Sequence, residues 1–442
     1  MTNARRDGFY FVVLGCAIFL LFGVVLEVVA SHPISDFRFV YNGARCILRG
    51  LDPYSPAEFQ RVMVSDGADL SGPDRNHYLE MSHHMYLPTS MIVAPLALLP
   101  WVPALTIWTI LIAGTFMLAS LLMWDAAGGD SPLFAGSLLL LMLGSSQSLL
   151  IIGNADGLVV SLTVIAAWCF INERFPWAGA VCLALALLLK PHDAGLVWLY
   201  FLLAGGTYRK HAIRTLEITA ALGVVTVVWV SLVAPHWFSE LRSNLAYLAL
   251  PGHLNDPGPA SMAGHGIAMV IDLQSVLSVF WDKPAFYNPV SFLISGVLFV
   301  AWIRTILKSK ANAGGAWLAL AVASALTMLP VYHRLSDAKL LLLTLPAGAA
   351  LLARAGRVGR IAALLNTLGF FLTGAVQWVI LLWLLQIASK RHLIWGWPLT
   401  DAQVMPVPFV LLAISLFYLW ISESKARSLI DSPETLQSAK TG

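Results

Sequence analysis

Long apolar runs, separated by short charged or proline- and glycine-rich breaks, occupy most of this chain. The first run, 9–30, is too long for the core of a signal peptide and lacks a clear small-residue cleavage site, so we interpret it as a retained helix. Hydropathy predicts about twelve membrane spans. These spans cover residues 9–30, 101–124, 132–151, 156–172, 176–190, 193–205, 213–234, 288–307, 314–330, 338–353, 361–388 and 404–422. The pattern predicts an all-α polytopic membrane protein.

Three apolar segments are too short for an ordinary span. The runs 176–190 and 193–205 need a thinned bilayer, a tilted partner or burial within the bundle. The run from Tyr86 to Pro100 is short and interrupted by prolines. We interpret it as a re-entrant or interfacial segment, which is tolerable only where it packs on protein.

A different periodicity follows the first span. From Phe37 to Leu51 apolar residues recur at helical spacing, with polar residues on the other face. This pattern is typical of an amphipathic helix in the membrane interface. Asp36 then lies at the N-cap or in the first turn, where a carboxylate stabilises free N–H groups and the helix dipole. A cap and a catalytic base are compatible, since the same geometry fixes the carboxylate at a rim facing the bundle.

Composition narrows the class of protein. The 442 residues are 58% hydrophobic and 12% charged, whereas soluble domains carry about 25% charged residues. The net charge is +3, and the sequence contains no basic block with interleaved aromatic residues. Both observations argue against nucleic-acid binding. Three of the four cysteines fall in apolar spans, so a disulfide framework and a thiolate metal site are not expected.

Basic residues predict the orientation. Short basic loops at 5–6, 208–210, 308–310 and 354–360 share one side if twelve spans alternate. That side is cytoplasmic by the positive-inside rule, and both termini are then cytoplasmic. The long loops 31–100 and 235–287 lie on the outer face. Residues 1–422 are predicted to form a single membrane domain, and 423–442 a disordered cytoplasmic tail.

Polar groups at the outer ends of later spans are candidates for binding. Asn154 and Asp156 lie between glycines and could hydrogen-bond sugar hydroxyls, although a structural turn explains them as well. Lys190 ends one apolar run before a proline. A charge at the bilayer centre costs roughly 2.5–3.5 kcal/mol, so this lysine must snorkel, pair or bind an anion such as phosphate.

The densest polar stretch runs from Tyr332 to Lys339. Arg334 offers bidentate recognition of phosphate, and His333 can donate a hydrogen bond or carry a proton. The alternative is a loop that neutralises its own charges. Tyr86 begins the proline-rich run, which either lines a lipid groove or is a kinked packing segment. All these groups reach the same face under the predicted topology, which indicates an outward-facing site.

Several catalytic motifs are absent from the sequence. It has no Walker loop and no GxGxxG after a strand, which argues against nucleotide chemistry. It also lacks an Asp-x-Asp pair, HExxH and Gly-x-Ser-x-Gly.

The chain resembles the glycosyltransferase-C superfamily. It is most similar to the family-87 polyprenyl-phosphate-mannose-dependent mannosyltransferases, also called the domain-of-unknown-function 2029 group. The resemblance covers most of the span from about Asp36 to Lys339. It rests on Asp36, Tyr41, Gly43, Gly50, Asp52, Pro53, Tyr54, Tyr86-Leu87-Pro88, Pro95, Gly153-Asn154-Ala155-Asp156, Lys190-Pro191 and the loop from His333 to Lys339.

The resemblance implies an enzyme of the plasma (inner) membrane with its site on the outer, periplasmic face. It would transfer a hexose, mannose by the family's name, from a polyprenyl monophosphate to a glycolipid or glycan acceptor. Asp36 would be the general base of a single inverting displacement. Neither a metal nor another cofactor is expected. Donor phosphate would be bound by Lys190, Arg334 and Lys339, and sugar or acceptor by His333, Asn154, Asp156, Tyr86 and Tyr41.

Two other functions remain open at this stage. A transporter or flippase of lipid-linked sugar, or of another amphiphile, would show inverted repeats and polar residues near the membrane midplane. No repeat is visible in the sequence. A non-catalytic assembly subunit would tolerate loss of Asp36.

Overall fold

The computed structural model describes residues 2–30, 36–67, 75–258, 270–309, 312–374 and 405–424. Across these ranges the chain is helical, and the one pairing of extended backbone is an isolated bridge between Val270 and Arg334. The predicted all-α class is therefore confirmed for the part of the chain that the structure describes.

In chain order, the described helices can be divided into a first set before Lys190 and a second set after it. The first comprises α1 (Asn3–Ala30), α2 (Asp36–Leu48), α3 (Pro56–Ser65), α4 (Arg75–Met81), a first 3-10 helix (Pro88–Leu98), α5 (Trp101–Ala127), α6 (Pro132–Gly144), α7 (Ser148–Ile152), α8 (Ala155–Ile171) and α9 (Pro176–Leu189). The second comprises α10 (Pro191–Ala204), α11 (Gly206–Val233), α12 (Trp237–Leu248), α13 (Leu273–Phe280), α14 (Pro284–Lys308), α15 (Ala313–Leu326), a second 3-10 helix (Asp337–Thr344), α16 (Leu345–Arg354), α17 (Gly356–Leu372) and α18 (Pro406–Glu423).

Six helical segments of the described residues are long and apolar enough to cross a membrane. They are Asn3–Val25, Trp101–Ala127, Pro132–Ile152, Gly206–Val233, Pro284–Lys308 and Pro406–Glu423. Other predicted spans coincide with helices too short to cross alone: α9 and α10 have 14 residues each, against the roughly 20 that a bilayer requires. The structure thus supports a polytopic α-helical membrane protein with at least these six candidates.

The interior of the bundle explains the short apolar helices. All 17 residues of α8 are buried, and the helix packs against α5, α9 and α10. A helix that is apolar all round is stable when it is enclosed by other helices. The predicted span 338–353 is likewise internal, but it is broken into the second 3-10 helix and α16.

The proline-rich segment after Tyr86 packs on protein, as the sequence predicts. It forms the first 3-10 helix, which lies against α2, α9 and α11. The Thr89 hydroxyl donates a hydrogen bond of 2.7 Å to the carbonyl of Leu188 at the end of α9. This hydrogen bond holds the segment against the end of α9, two residues before Lys190.

The two long loops meet over a small hydrophobic core of their own. Its buried residues are Phe39, Cys46, Phe59, Val62, Met63, Tyr78, Met81, Leu248 and Leu254. Asn244 of α12 donates hydrogen bonds to the backbone carbonyls of Tyr54 (3.0 Å) and His84 (3.2 Å). Helix α2 lies between this small core and the main one, and is therefore held on two sides.

Two predicted regions extend beyond the described ranges. The span predicted at 361–388 begins within α17 and continues into residues outside them. The tail predicted at 423–442 lies outside them from residue 425 onward.

Candidate functional site

Asp36 is the first residue of α2, as the sequence predicts. Its Oδ2 accepts a hydrogen bond of 2.5 Å from Nδ2 of Asn154. Asn154 is also the N-cap of α8, because its Oδ1 accepts from the backbone N–H of Asp156 at 2.9 Å. One amide side chain therefore joins the starts of two helices and fixes the Asp36 carboxylate.

Lys190 occupies the break between α9 and α10. Pro191 disfavours a helical conformation at Lys190, whose φ and ψ are −152° and 81°. Its Nζ lies 2.7 Å from Asp156, 3.3 Å from Asp193 and 2.5 Å from Asp337. Burial lowers the pKa of Lys190, but the three carboxylates outweigh it and hold that pKa well above its ordinary value. We call Lys190 and these three aspartates the lysine–aspartate cluster.

The loop before the second 3-10 helix completes the cluster. The Ser336 hydroxyl donates to Oδ2 of Asp156 at 2.6 Å, and the backbone N–H of Arg334 donates to Oδ2 of Asp337 at 2.7 Å. The loop is in turn held by the N–H of Ile271, which donates to the carbonyl of His333 at 2.9 Å.

His333 forms an ion pair with the cluster. Its Nδ1 lies 2.7 Å from the carbonyl of Val331, which can only accept, so Nδ1 carries a proton. Its Nε2 lies 3.1 Å from Oδ1 of Asp193. Burial lowers the pKa of His333, but the hydrogen bond and the charge of Asp193 outweigh that effect and raise it above the ordinary value. The raised pKa and the neighbouring carboxylate of Asp193 both favour the protonated form of the ring.

Arg334 and Tyr86 lie at the Asp36 end of the site. The guanidinium of Arg334 is 5.2 Å from the centre of the Tyr332 ring, and its Nε and Nη2 are buried without a hydrogen-bond partner among the described residues. Burial raises the pKa of the Tyr86 hydroxyl, and the negative charges of Asp36 and Asp156 raise it further. Burial lowers the pKa of Arg334, but the neighbouring Tyr332 and the carboxylates of Asp36 and Asp156 outweigh that effect and raise it.

Two predicted site residues have their polar groups elsewhere. Lys339 is buried in the bundle, and its Nζ donates to the backbone carbonyl of Thr373 at 2.6 Å. The Tyr41 hydroxyl donates to the carbonyl of Leu99 at 2.8 Å and accepts from Arg45 at 3.0 Å. The structure therefore brings together Asp36, Tyr86, Asn154, Asp156, Lys190, His333 and Arg334, but it does not bring Lys339 or the Tyr41 hydroxyl to them.

Sequence reasoning did not single out three members of the site. Asp193, Ser336 and Asp337 all contact Lys190 or its carboxylate partners. The available signal was the lysine itself: a cation beside apolar runs needs counter-charges, and the acids nearest to the same face are the candidates.

Among the residues that the structure describes, two groups of side chains have donor atoms close enough for a metal ion. Asp156, Asp193 and Asp337 form one group, but the ammonium of Lys190 already contacts all three. The other group is His192, Asp193 and His333. Burial lowers the pKa of His192 to about 4, which leaves that imidazole neutral near pH 7.

Comparison of the chain with protein-family models, with curated proteins and with solved structures finds no match in any of the three.

Proposed function

We propose that the protein is a membrane glycosyltransferase. It moves a hexose, mannose in the first instance, from a polyprenyl-monophosphate donor to a glycolipid or glycan acceptor. The observation that carries the proposal is a carboxylate, Asp36, which is held by Asn154 and interacts electrostatically with Arg334, whose Nε and Nη2 are buried without a hydrogen-bond partner among the described residues. A base and an anion-binding group are what an inverting displacement from a lipid phosphate requires.

Asp36 is the proposed general base. It removes the proton of the acceptor hydroxyl while that oxygen attacks the anomeric carbon, and the bond to the phosphate oxygen breaks. Asn154 orients the carboxylate through its 2.5 Å hydrogen bond and does not itself touch the reacting atoms. The leaving phosphate needs no general acid, because its charge can be stabilised by a cation.

Arg334 is the proposed phosphate ligand. Its Nε and Nη2 lack hydrogen-bond partners among the described residues, and a guanidinium binds phosphate with paired N–H donors. Lys190 has a different role in this proposal, because its ammonium is already paired with three carboxylates. It holds Asp156 and Asp337 in place, and through Ser336 it supports the loop that carries Arg334.

The proposal includes a glycosyltransferase-C-like bundle of about twelve spans. Both termini would be cytoplasmic, and Asp36 would lie on the outer face of the plasma membrane. The six long apolar helices and the basic loops at 208–210, 308–310 and 354–360 support this arrangement.

A transporter or flippase of lipid-linked sugar is the second candidate. The observation that favours it is the lysine–aspartate cluster, because buried ionisable groups among apolar helices mark ion or proton pathways in transporters. Such a protein would move a lipid across the bilayer without forming a glycosidic bond.

Transfer of radiolabelled sugar in proteoliposomes tests the proposal. The wild type is expected to move label from polyprenyl-phosphate mannose to membrane acceptors. Asp36→Asn should lower the rate by about 10²–10⁴, the usual contribution of general acid–base catalysis. The matched control is Asp52→Asn, which alters a carboxylate of the same loop that accepts from the backbone of Tyr54. Full activity of Asp36→Asn would exclude the base assignment. Lipid translocation without transfer, across a panel of polyprenyl-phosphate sugars, would favour the transporter.

A further inference from the structure

A polar cavity lies on the face of α2 that points away from Asp36. It has a volume of about 230 Å³, well above the roughly 10–15 Å³ that one water molecule needs. Its lining residues are Arg38, Tyr41, Asn42, Arg45, Asp66, Pro100 and Trp101. At about 100° per residue, Arg38 and Arg45 point roughly opposite to Asp36 around the helix, so this cavity is separate from the site described above. We call it the arginine cavity.

Asn42 is the unusual member of the lining. Its side chain is fully buried, yet neither Oδ1 nor Nδ2 has a hydrogen-bond partner among the described residues. Buried polar groups in native proteins are nearly always satisfied, and an unpaired amide in a cavity indicates a missing partner. The sequence pattern placed Asn42 and Arg38 on the polar face of an interfacial helix, but both are buried.

The cavity carries a surplus of positive charge. Two guanidinium groups line it, and Asp66 is the one acid among its lining residues. Arg45 pairs with Asp66 at 2.9 Å through Nε and donates to the Tyr41 hydroxyl through Nη1. A guanidinium has five N–H donors, so Arg45 retains donors beyond these two contacts. Guanidinium pairs of this kind recognise phosphate by bidentate hydrogen bonds.

The cavity lies where a membrane span begins. Trp101 starts α5, a candidate membrane helix, and Pro100 precedes it. Tyr41 and Trp101 pack edge to face at 5.3 Å between ring centres, and tyrosine and tryptophan are enriched at the level of lipid headgroups. A phosphate-bearing ligand at this level is most directly supplied by a lipid of the surrounding leaflet.

We propose that the arginine cavity binds the headgroup of an anionic phospholipid. Arg45, with the charge of Arg38 beside it, receives the phosphate, and the Asn42 amide bonds a headgroup hydroxyl or ester oxygen. The bound lipid fixes α2 from the side opposite Asp36 and so stabilises the folded protein. This binding does not require glycosyl transfer, and it is measured without any sugar donor.

The test follows thermal unfolding of the full chain in detergent by tryptophan fluorescence. The probes are dihexanoyl phosphatidylglycerol, dihexanoyl phosphatidylcholine and inorganic phosphate. We expect the melting temperature to rise with phosphatidylglycerol concentration and to change little with the other two. An equal rise with phosphatidylcholine overturns the requirement for negative charge. An equal rise with inorganic phosphate overturns the lipid as the source of the phosphate.

Two variants and one control locate the effect. Arg45→Gln should weaken phosphatidylglycerol binding by about tenfold or more, the usual loss for a hydrogen bond to a charged group. Arg49→Gln is the control, because Arg49 also pairs with Asp66, at 3.0 Å, but does not line the cavity. Its affinity should stay within about twofold of the wild type. Equal losses in both variants would mean that general surface charge, not the cavity, binds the lipid.

Asn42→Leu separates ligand binding from a structural role. Replacing an unpaired buried amide by an apolar side chain of similar size should raise the melting temperature without lipid. The same change should reduce the additional rise that phosphatidylglycerol produces. A lower melting temperature without lipid, or an unchanged lipid response, would overturn the role of Asn42.

Discussion

Helix α2 separates two polar regions that differ in how their charges are balanced. On one side, the lysine–aspartate cluster surrounds a single ammonium with three buried carboxylates. On the other side, the arginine cavity holds two guanidinium groups, one acid and an amide without a hydrogen-bond partner in the described part of the chain. Three carboxylates depend on that one ammonium, so removing it leaves them buried without their shared cation. A region with unused donors can accept a ligand.

The largest expected effect is on the lysine–aspartate cluster. Lys190→Met leaves Asp156, Asp193 and Asp337 buried without their shared cation, and loss of a buried partner costs about 3–5 kcal/mol. The control is Arg6→Met, which removes an exposed pair with Asp7 at 3.7 Å and should cost at most about 1 kcal/mol. Thermal unfolding in detergent measures both. Similar melting temperatures for the two variants would contradict the role of Lys190 as the shared cation of these carboxylates.

The next effect concerns the packing that holds α2 between the two regions. A Cβ at Gly43 would lie 2.7 Å from Cε1 of His84, so Gly43→Ala should destabilise by about 1–3 kcal/mol. Gly114→Ala in α5 meets no atom within 4 Å and should stabilise by roughly 0.5–1 kcal/mol. The two melting temperatures should therefore shift in opposite directions. A neutral Gly43→Ala would show that α2 is free to move.

A smaller effect is the pH dependence of stability that His333 gives to the lysine–aspartate cluster. The folded-state pKa of His333 is raised, so its ion pair stabilises fully below about pH 6.5, the ordinary value, and this contribution is lost as pH rises through the higher folded pKa. His333→Gln should remove that loss, so its melting temperature should depend less on pH above 6.5. The charged or titratable groups around His333 are Asp193, His192, Lys190, Asp337 and Asp272. Parallel pH profiles for variant and wild type would contradict the imidazolium.

The smallest expected effect on stability is at the arginine cavity. Without lipid, Arg45→Gln should change the free energy of unfolding by less than about 1 kcal/mol, because Arg49 still pairs with Asp66. The measurement is again thermal unfolding in detergent. A loss as large as that of Lys190→Met would mean that Arg45 is needed for folding without a bound lipid, as Lys190 is.

Much of this architecture follows from sequence pattern. The start of α2 at Asp36, the packing of the proline-rich segment and the convergence of Asn154, Lys190 and Arg334 were all predicted. These features depend on apolar periodicity and on which end of a helix a residue occupies, and both are local properties of the chain.

The predictions that the structure revises depend on the direction in which a side chain leaves its helix. Lys339 follows Asp337 by two residues, and at three residues per turn the two side chains leave the 3-10 helix about 120° apart. One therefore reaches Lys190 while the other reaches Thr373. The pairing of Lys190 with three acids could not be derived, because its partners are separated from it by up to 147 residues.

That separation has a consequence for biosynthesis. Lys190 follows Asp156 by 34 residues, whereas the loop that carries Asp337 follows Lys190 by 147. Until that loop is made, Asp156 and Asp193 have one cation between them, Lys190, and His333 then brings a second to Asp193. A chain that ends before residue 333 is therefore expected to keep a buried carboxylate without a cation of its own.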